Sequence, residues 1–178
     1  MNNKNQTIII ANYKPEWPKL FEAEKSLILN AITPWVESIE HIGSTAVPNL
    51  AAKPVIDIMI GARSLAEADA YCIKRLEDLG YTYVPEYEQQ MPDRRFFRKN
   101  NKENAATHRV HLVEVNSEFW DRHLLFRDYL RQHPEAAQEY EQLKRTLAEK
   151  FTDTNAYADA KTNFIKSIEA KAQKEKEL

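Results

Sequence analysis

At 178 residues, with 43% hydrophobic and 29% charged side chains, the chain is long enough to bury one hydrophobic core and is expected to form a single domain over residues 1–178. A formal charge of −2 lacks the basic excess of a protein that coats nucleic acid, so nucleic acid is not an expected partner. The single cysteine, Cys72, excludes an intrachain disulfide and a CxxC zinc site, no run reaches membrane-spanning length, and the opening residues lack the apolar centre of a signal peptide, which together predict a cytoplasmic protein with no membrane partner.

In chain order, residues 7–13 centre on Ile8-Ile9-Ile10 and read as an extended entry into Pro15. From residue 16 to about 32, Trp17, Leu20, Phe21, Leu27, Ile28 and Ala31 recur at helical spacing, with Pro18 tolerable in the first turn and Thr33-Pro34 as the stop. Residues 36–42 and 55–60 read as strands. The second is apolar on both faces except at Asp57, the pattern of a central buried strand whose carboxylate needs a partner. Ser64-Leu65-Ala66-Glu67 is a capping box that opens a helix to Leu79, and Gly80 is placed to end it; Cys72 falls in its apolar stripe as a core thiol. Residues 81–87, 94–99 and 107–115 read as three consecutive strands, which predicts antiparallel pairing. Beyond Ser117 the pattern turns helical: 118–132, 134 to about 152, and 155 to a lysine- and glutamate-rich end expected to fray. The fold class is therefore α/β, a mixed β-sheet packed with helices and followed by a helical C-terminal half.

The chemistry concentrates in Glu40-His41-Ile42-Gly43-Ser44-Thr45 and Lys53-Pro54-Val55-Ile56-Asp57. A strand, a Gly-Ser turn opening onto a short helical segment and a second strand with one carboxylate can hold a phosphate: backbone N–H groups and the Ser44 hydroxyl would donate to it, and Asp57 could hold a bridging divalent metal. This run, together with Arg94 to Lys99, Thr107 to Leu112, Leu125 to Arg131 with His133-Pro134, and Tyr157 and Lys161, closely resembles the GrpB family over nearly the whole chain. The resemblance implies a nucleotidyltransferase-like α/β fold in which the Gly-Ser turn and the acidic strand form a nucleotide and metal site. It implies no established reaction. Some relatives resembling this family are fused to dephospho-coenzyme A kinase, which suits an accessory role.

Enzymes of that fold usually carry two carboxylates at alternate positions of the acidic strand, and here the second position is Met59, a poor ligand for magnesium. A replacement could come from Glu40 or Glu114. His108 and His111 fall on opposite faces of their strand, so they cannot form a paired metal site without a bulge; either one alone is a structural hydrogen bonder or a proton carrier, with His111 the catalytic candidate. Arg94, Arg95, Arg98 and Lys99 flank Phe96 and Phe97 either as a charge-protected edge or as a clamp on triphosphate, and Lys53 is a further candidate phosphate contact. Arg127, Asp128 and Arg131 suggest a local ion pair. Tyr157 and Lys161, four apart, share a face of the last helix and either close over the pocket or merely pack.

The leading expectation is nucleotidyl transfer: a nucleoside triphosphate, a small-molecule partner, bound at Gly43 and Ser44, magnesium or manganese held by Asp57 with Glu40 or Glu114, catalysis by Asp57, Glu114 and His111, and phosphates neutralised by Lys53, Arg94, Arg95 and Arg98. The alternative, favoured by Met59, is a binding module of the same fold that recognises a nucleotide or coenzyme A-related phosphate without turning it over. An RNA adaptor on the basic strand is disfavoured by the charge.

Overall fold

The computed structural model describes residues 7–177; the opening residues 1–6, where a signal peptide was not expected, lie outside them. The strand of residues 55–60, expected to be central and buried, lies inside a single five-stranded sheet. Its strands are β1 (Val36–Ile42), β2 (Ile56–Ala62), β3 (Thr82–Tyr83), β4 (Arg95–Asn100) and β5 (Ala106–Glu114), in the spatial order β1-β2-β5-β4-β3. β2 and β5 run parallel, with Asp57 opposite Arg109 and Met59 opposite His111; every other neighbouring pair is antiparallel.

Alternation along the strands sorts the two faces. Ile56, Ile58 and Ile60 of β2, Val110 and Leu112 of β5 and Phe97 of β4 pack against Trp17, Phe21 and Ile28 of α1 (Glu16–Ile32) and against Ala68, Cys72 and Leu76 of α2 (Leu65–Tyr71) and α3 (Ile73–Asp78). The opposite face carries Glu40, Asp57, Met59, Arg109 and His111. There Ile42, Met59 and Val113 meet Trp120 of α4 (Glu118–Gln132). A side chain at Gly61 would meet the Trp120 ring at 2.8 Å, so at that point the helix rests almost on the strand backbone. α5 (Pro134–Lys150), α6 (Thr154–Asp159) and α7 (Thr162–Lys176) complete the helical half, with a second core of Val47, Leu50, Leu130, Tyr140 and Ile168.

Several elements differ from the sequence expectation. The helix of residues 64–79 keeps its Ser64 cap, whose Oγ accepts from the Glu67 N–H, but is interrupted at the fully buried Cys72. The strand of residues 81–87 is cut to two residues because Pro85 has no N–H for the ladder and opens a 3₁₀ turn, Pro85–Gln89. The helix expected from residue 155 breaks before Thr162, so Tyr157 and Lys161 stand on different segments, and its lysine- and glutamate-rich end, expected to fray, is helical to Lys176. Residues 7–13 make one isolated bridge, Ala11 to Ala52. Among the described residues, no helix is long and apolar enough to cross a membrane.

Candidate functional site

Gly43 leaves β1 with φ 72° and ψ −174°, a conformation essentially reserved for glycine. An added Cβ there would lie 2.6 Å from Asp57 Oδ2, so the missing side chain is what lets the turn sit against the carboxylate. The helical segment expected to follow is a single 3₁₀ turn, Ser44–Ala46, too short to contribute much dipole to an anion. Positive charge comes from side chains instead.

Three parts of the chain deliver those side chains. Lys53 arrives from the loop before β2 and Arg109 from β5, directly opposite Asp57 in register. Lys161 comes from the break between α6 and α7, and its Nζ stands 4.5 Å from the centre of the Tyr157 ring. Lys53 Nζ lies 4.7 Å from the centre of the same ring. Burial pushes the Asp57 carboxyl up, against the pull of Arg109, Lys161 and Lys53. Burial lowers Lys53 to about 8, helped by Arg109 and opposed by Asp57. It lowers Lys161 to about 8 as well, helped by Lys53 and Arg109 and opposed by Asp57. Two ammonium groups and a guanidinium thus share one carboxylate in a partly desolvated place.

Helix α5 supports the loop that carries Lys53. Lys144, 2% exposed, donates to the Ala51 carbonyl, while Glu141 Oε2 accepts from the Ala51 N–H at 2.9 Å. Burial, with Lys161 nearby, lowers Lys144 to about 7. One turn earlier, Tyr140 shares a hydrogen bond with Ser44, and its ionisation is disfavoured mainly by burial and then by the charges of Tyr157 and Asp57.

The expected site residues divide. Gly43, Ser44, Lys53 and Asp57 come together, and Arg98 shares their face, opposite Arg109 in register. Arg95 points to the other face, with a two-pronged pairing to Asp69 at 2.6 and 2.8 Å and a further bond to the Pro92 carbonyl, so it is no phosphate clamp. Arg94 shares the Asp57 face but turns toward Phe96, Phe119 and His111, away from the Gly-Ser turn. His111 Nδ1 accepts from Arg94 at 3.2 Å, and burial together with Arg94 holds the ring well below its ordinary basicity. Its basic nitrogen is taken, which removes the catalytic role expected of it.

The two candidate supporting carboxylates are also committed elsewhere. Glu40 Oε2 receives Arg127 Nη1 at 2.7 Å, and its Oε1 accepts from Ser38. Glu114 lies on the opposite face, where it accepts from the Leu65 N–H at the start of α2. Met59 is fully buried beneath Trp120. Among the described residues Asp57 is the one free carboxylate of the cluster, no group of three His, Cys, Asp or Glu side chains able to hold a metal is present, and the second carboxylate expected for magnesium or manganese is not supplied by Met59, Glu40 or Glu114. Sequence reasoning missed Arg109 and Lys144. The first needed the β2–β5 pairing; the second was signalled by a lysine in the buried stripe Ala136, Ala137, Tyr140, Lys144, Leu147.

The mixed sheet, the Gly-Ser turn packed on a strand carboxylate and the helical half that closes cations around it define an α/β protein with a cation-rich site at the meeting of turn and acidic strand. The profile of the GrpB family, described as "GrpB protein", matches residues 7–171, and the chain belongs to that family. It is 37% identical over 169 residues to "Glutamate-rich protein GrpB" of Alkalihalophilus pseudofirmus, covering 93% of this chain and 95% of that protein. It is 41% identical over 163 residues to "UPF0157 protein YqkA" of Bacillus subtilis; 91% of this chain is covered, but it spans about half of that longer relative, 46%. The crystal structure of conserved protein GrpB from Enterococcus faecalis superposes with a TM-score of 0.84 at 36% identity, covering 96% of this chain and all of that one. A more distant likeness, 28% over 180 residues, is to a protein named dephospho-CoA kinase in Mycolicibacterium paratuberculosis, of which this chain spans 44%.

Proposed function

We propose that the chain binds a phosphorylated small molecule of nucleotide or coenzyme A type at the cluster around Asp57, without a divalent ion and without turning it over. The observation that carries the reading is the charge balance: Lys53, Arg109 and Lys161 surround a single carboxylate, leaving a surplus of two positive charges with Asp57 ionised. Holding Lys53 and Lys161 over one tyrosine ring is electrostatically costly unless an anion joins them. Phosphate oxygens suit three such donors, and Arg98, exposed on the same face, extends the positive surface toward further phosphates. The dephospho-CoA kinase relative adds support for a coenzyme A-related ligand.

The transferase reading, in which magnesium or manganese at Asp57 activates a nucleoside triphosphate, is disfavoured in its two-carboxylate form, since neither Met59, Glu40 nor Glu114 supplies the second hard oxygen ligand. Calorimetry with ATP, coenzyme A, dephospho-coenzyme A and inorganic triphosphate, in chelator and then with magnesium, tests the choice. Binding in chelator that weakens about tenfold or more in Arg109→Gln or Lys161→Gln is expected. Binding only with magnesium, together with pyrophosphate release, overturns the module in favour of the transferase.

A further inference from the structure

About 17 Å further along β5, counted from Arg109 to Glu114 at strand rise, a cavity of about 490 Å³ opens between the loop before β4 and the start of α4. None of Lys53, Asp57, Arg109 and Lys161 lines it. Its inner wall holds Arg94, whose guanidinium carbon lies 5.3 Å from the centre of the Phe96 ring, 5.8 Å from that of Phe119 and 5.9 Å from that of Tyr87. One N–H bonds His111, and Nε is buried with no partner. Among the described residues no carboxylate comes within 4.0 Å of this cation. The neighbouring rings of His111 and His123, both lowered in basicity mainly by burial, bring no negative charge to it. A cation packed among aromatic rings, with an unused N–H, lacks an anion.

The rest of the cavity restricts what that anion belongs to. Phe119 and the exposed Met91 give apolar wall. Asp93 and Glu114 stand at the cavity with no cation within 4.0 Å among the described residues, Glu114 accepting only the Leu65 N–H, while Glu118 shares Arg122 with Glu169. A polyphosphate would meet these carboxylates and be repelled. A molecule with one carboxylate for Arg94, one ammonium for Asp93 and Glu114, and an apolar body between Met91 and Phe119 answers the charged groups that lack an ion partner and the apolar wall. We infer that this cavity is a second binding site, separate from the Asp57 cluster, that takes an apolar α-amino acid.

Calorimetry with L-leucine and L-phenylalanine, with the amines that lack their carboxylate, and with the acids that lack their amino group tests the assignment. At least one amino acid is expected to bind at or below millimolar concentration, with both truncated forms about tenfold or more weaker. Arg94→Gln should abolish binding of the amino acid and of the acid. Should Arg94→Gln fail to fold, the surface change Asp93→Asn should still erase the preference for the amino acid over its desamino acid. No binding by either amino acid, equal binding of acid and amino acid, or displacement of the amino acid by ATP would overturn the inference; the last would merge the two sites, whereas failure of phosphate binding at Asp57 leaves this site standing.

Discussion

Gly43 is the residue on which the geometry of the Asp57 cluster turns. Its backbone conformation costs an L-residue on the order of 1–3 kcal/mol, and a methyl group there would also press on Asp57 Oδ2. Gly43→Ala is therefore expected to destabilise the protein by about 1–3 kcal/mol and to cost phosphate binding even at temperatures where the fold survives. Denaturant titration gives the first quantity and calorimetry the second; full affinity in a destabilised variant would show that the turn and the carboxylate do not act together. Gly43, Ser44 and Asp57 were legible in the sequence because their types and spacing carry their chemistry locally. Arg109 was not, since its meeting with Asp57 depends on which strands become parallel neighbours across about fifty residues of chain, and nothing in the local pattern states that.

Among the elements, α4 fixes the distance between the sheet and the helical half. Ser117 caps it, Trp120 lands on Gly61, and Arg127 reaches β1, bonding Glu40 and the His41 carbonyl while holding Asp128 through two bonds. The local ion pair expected from sequence is thus one arm of a long-range tie. Because Arg127 is 9% exposed while Glu40 and Asp128 keep part of their surface in water, Arg127→Ala should cost about 1.5–3 kcal/mol. Glu40→Gln should cost less, and the double variant should fall short of the sum by roughly 0.5–3 kcal/mol, the signature of a direct pair. Strict additivity in chemical denaturation would mean that the tie carries no energy. The strands β1, β2, β4 and β5 and the helices α1, α4 and α5 were legible from periodicity and stop residues. The breaks at Cys72 and before Thr162 were not, because the apolar stripe runs on across the first and no Pro or Gly marks the second.

Across the whole molecule, the site's lysines oppose folding and favour binding over one pH range. Lys144 titrates near 7 in the folded chain, and Lys53 and Lys161 near 8, against an ordinary value of 10.5. Above those values the unfolded chain holds protons that the folded chain has released, so stability rises with pH. His41, His108, His111 and His123, ordinarily near 6.5 and lowered mainly by burial, act with the same sign as the lysines and are nearly spent above pH 7. Cys72, raised from 9.0 to about 11, acts with the opposite sign from about pH 8 upward, a single group against three lysines, and Tyr81, raised from 10.0, follows from about pH 9. Asp57, raised from 3.8, also acts with the opposite sign, and Asp57→Asn removes it. Between about pH 7 and 9 the melting temperature of the free protein, and of Asp57→Asn, is therefore expected to climb. The single terminal phosphate of ATP takes its second ionisation near a pKa of about 6, so above pH 7 the ligand's charge is nearly constant while the site loses its own. The stabilisation that ATP, in chelator, adds to the natural protein should accordingly shrink as the protein without it grows more stable. Melting curves at fixed ionic strength, with and without ATP, give both slopes at once. An ATP shift that stays flat or grows between pH 7 and 9 would mean that the anion is not held by Lys53 and Lys161.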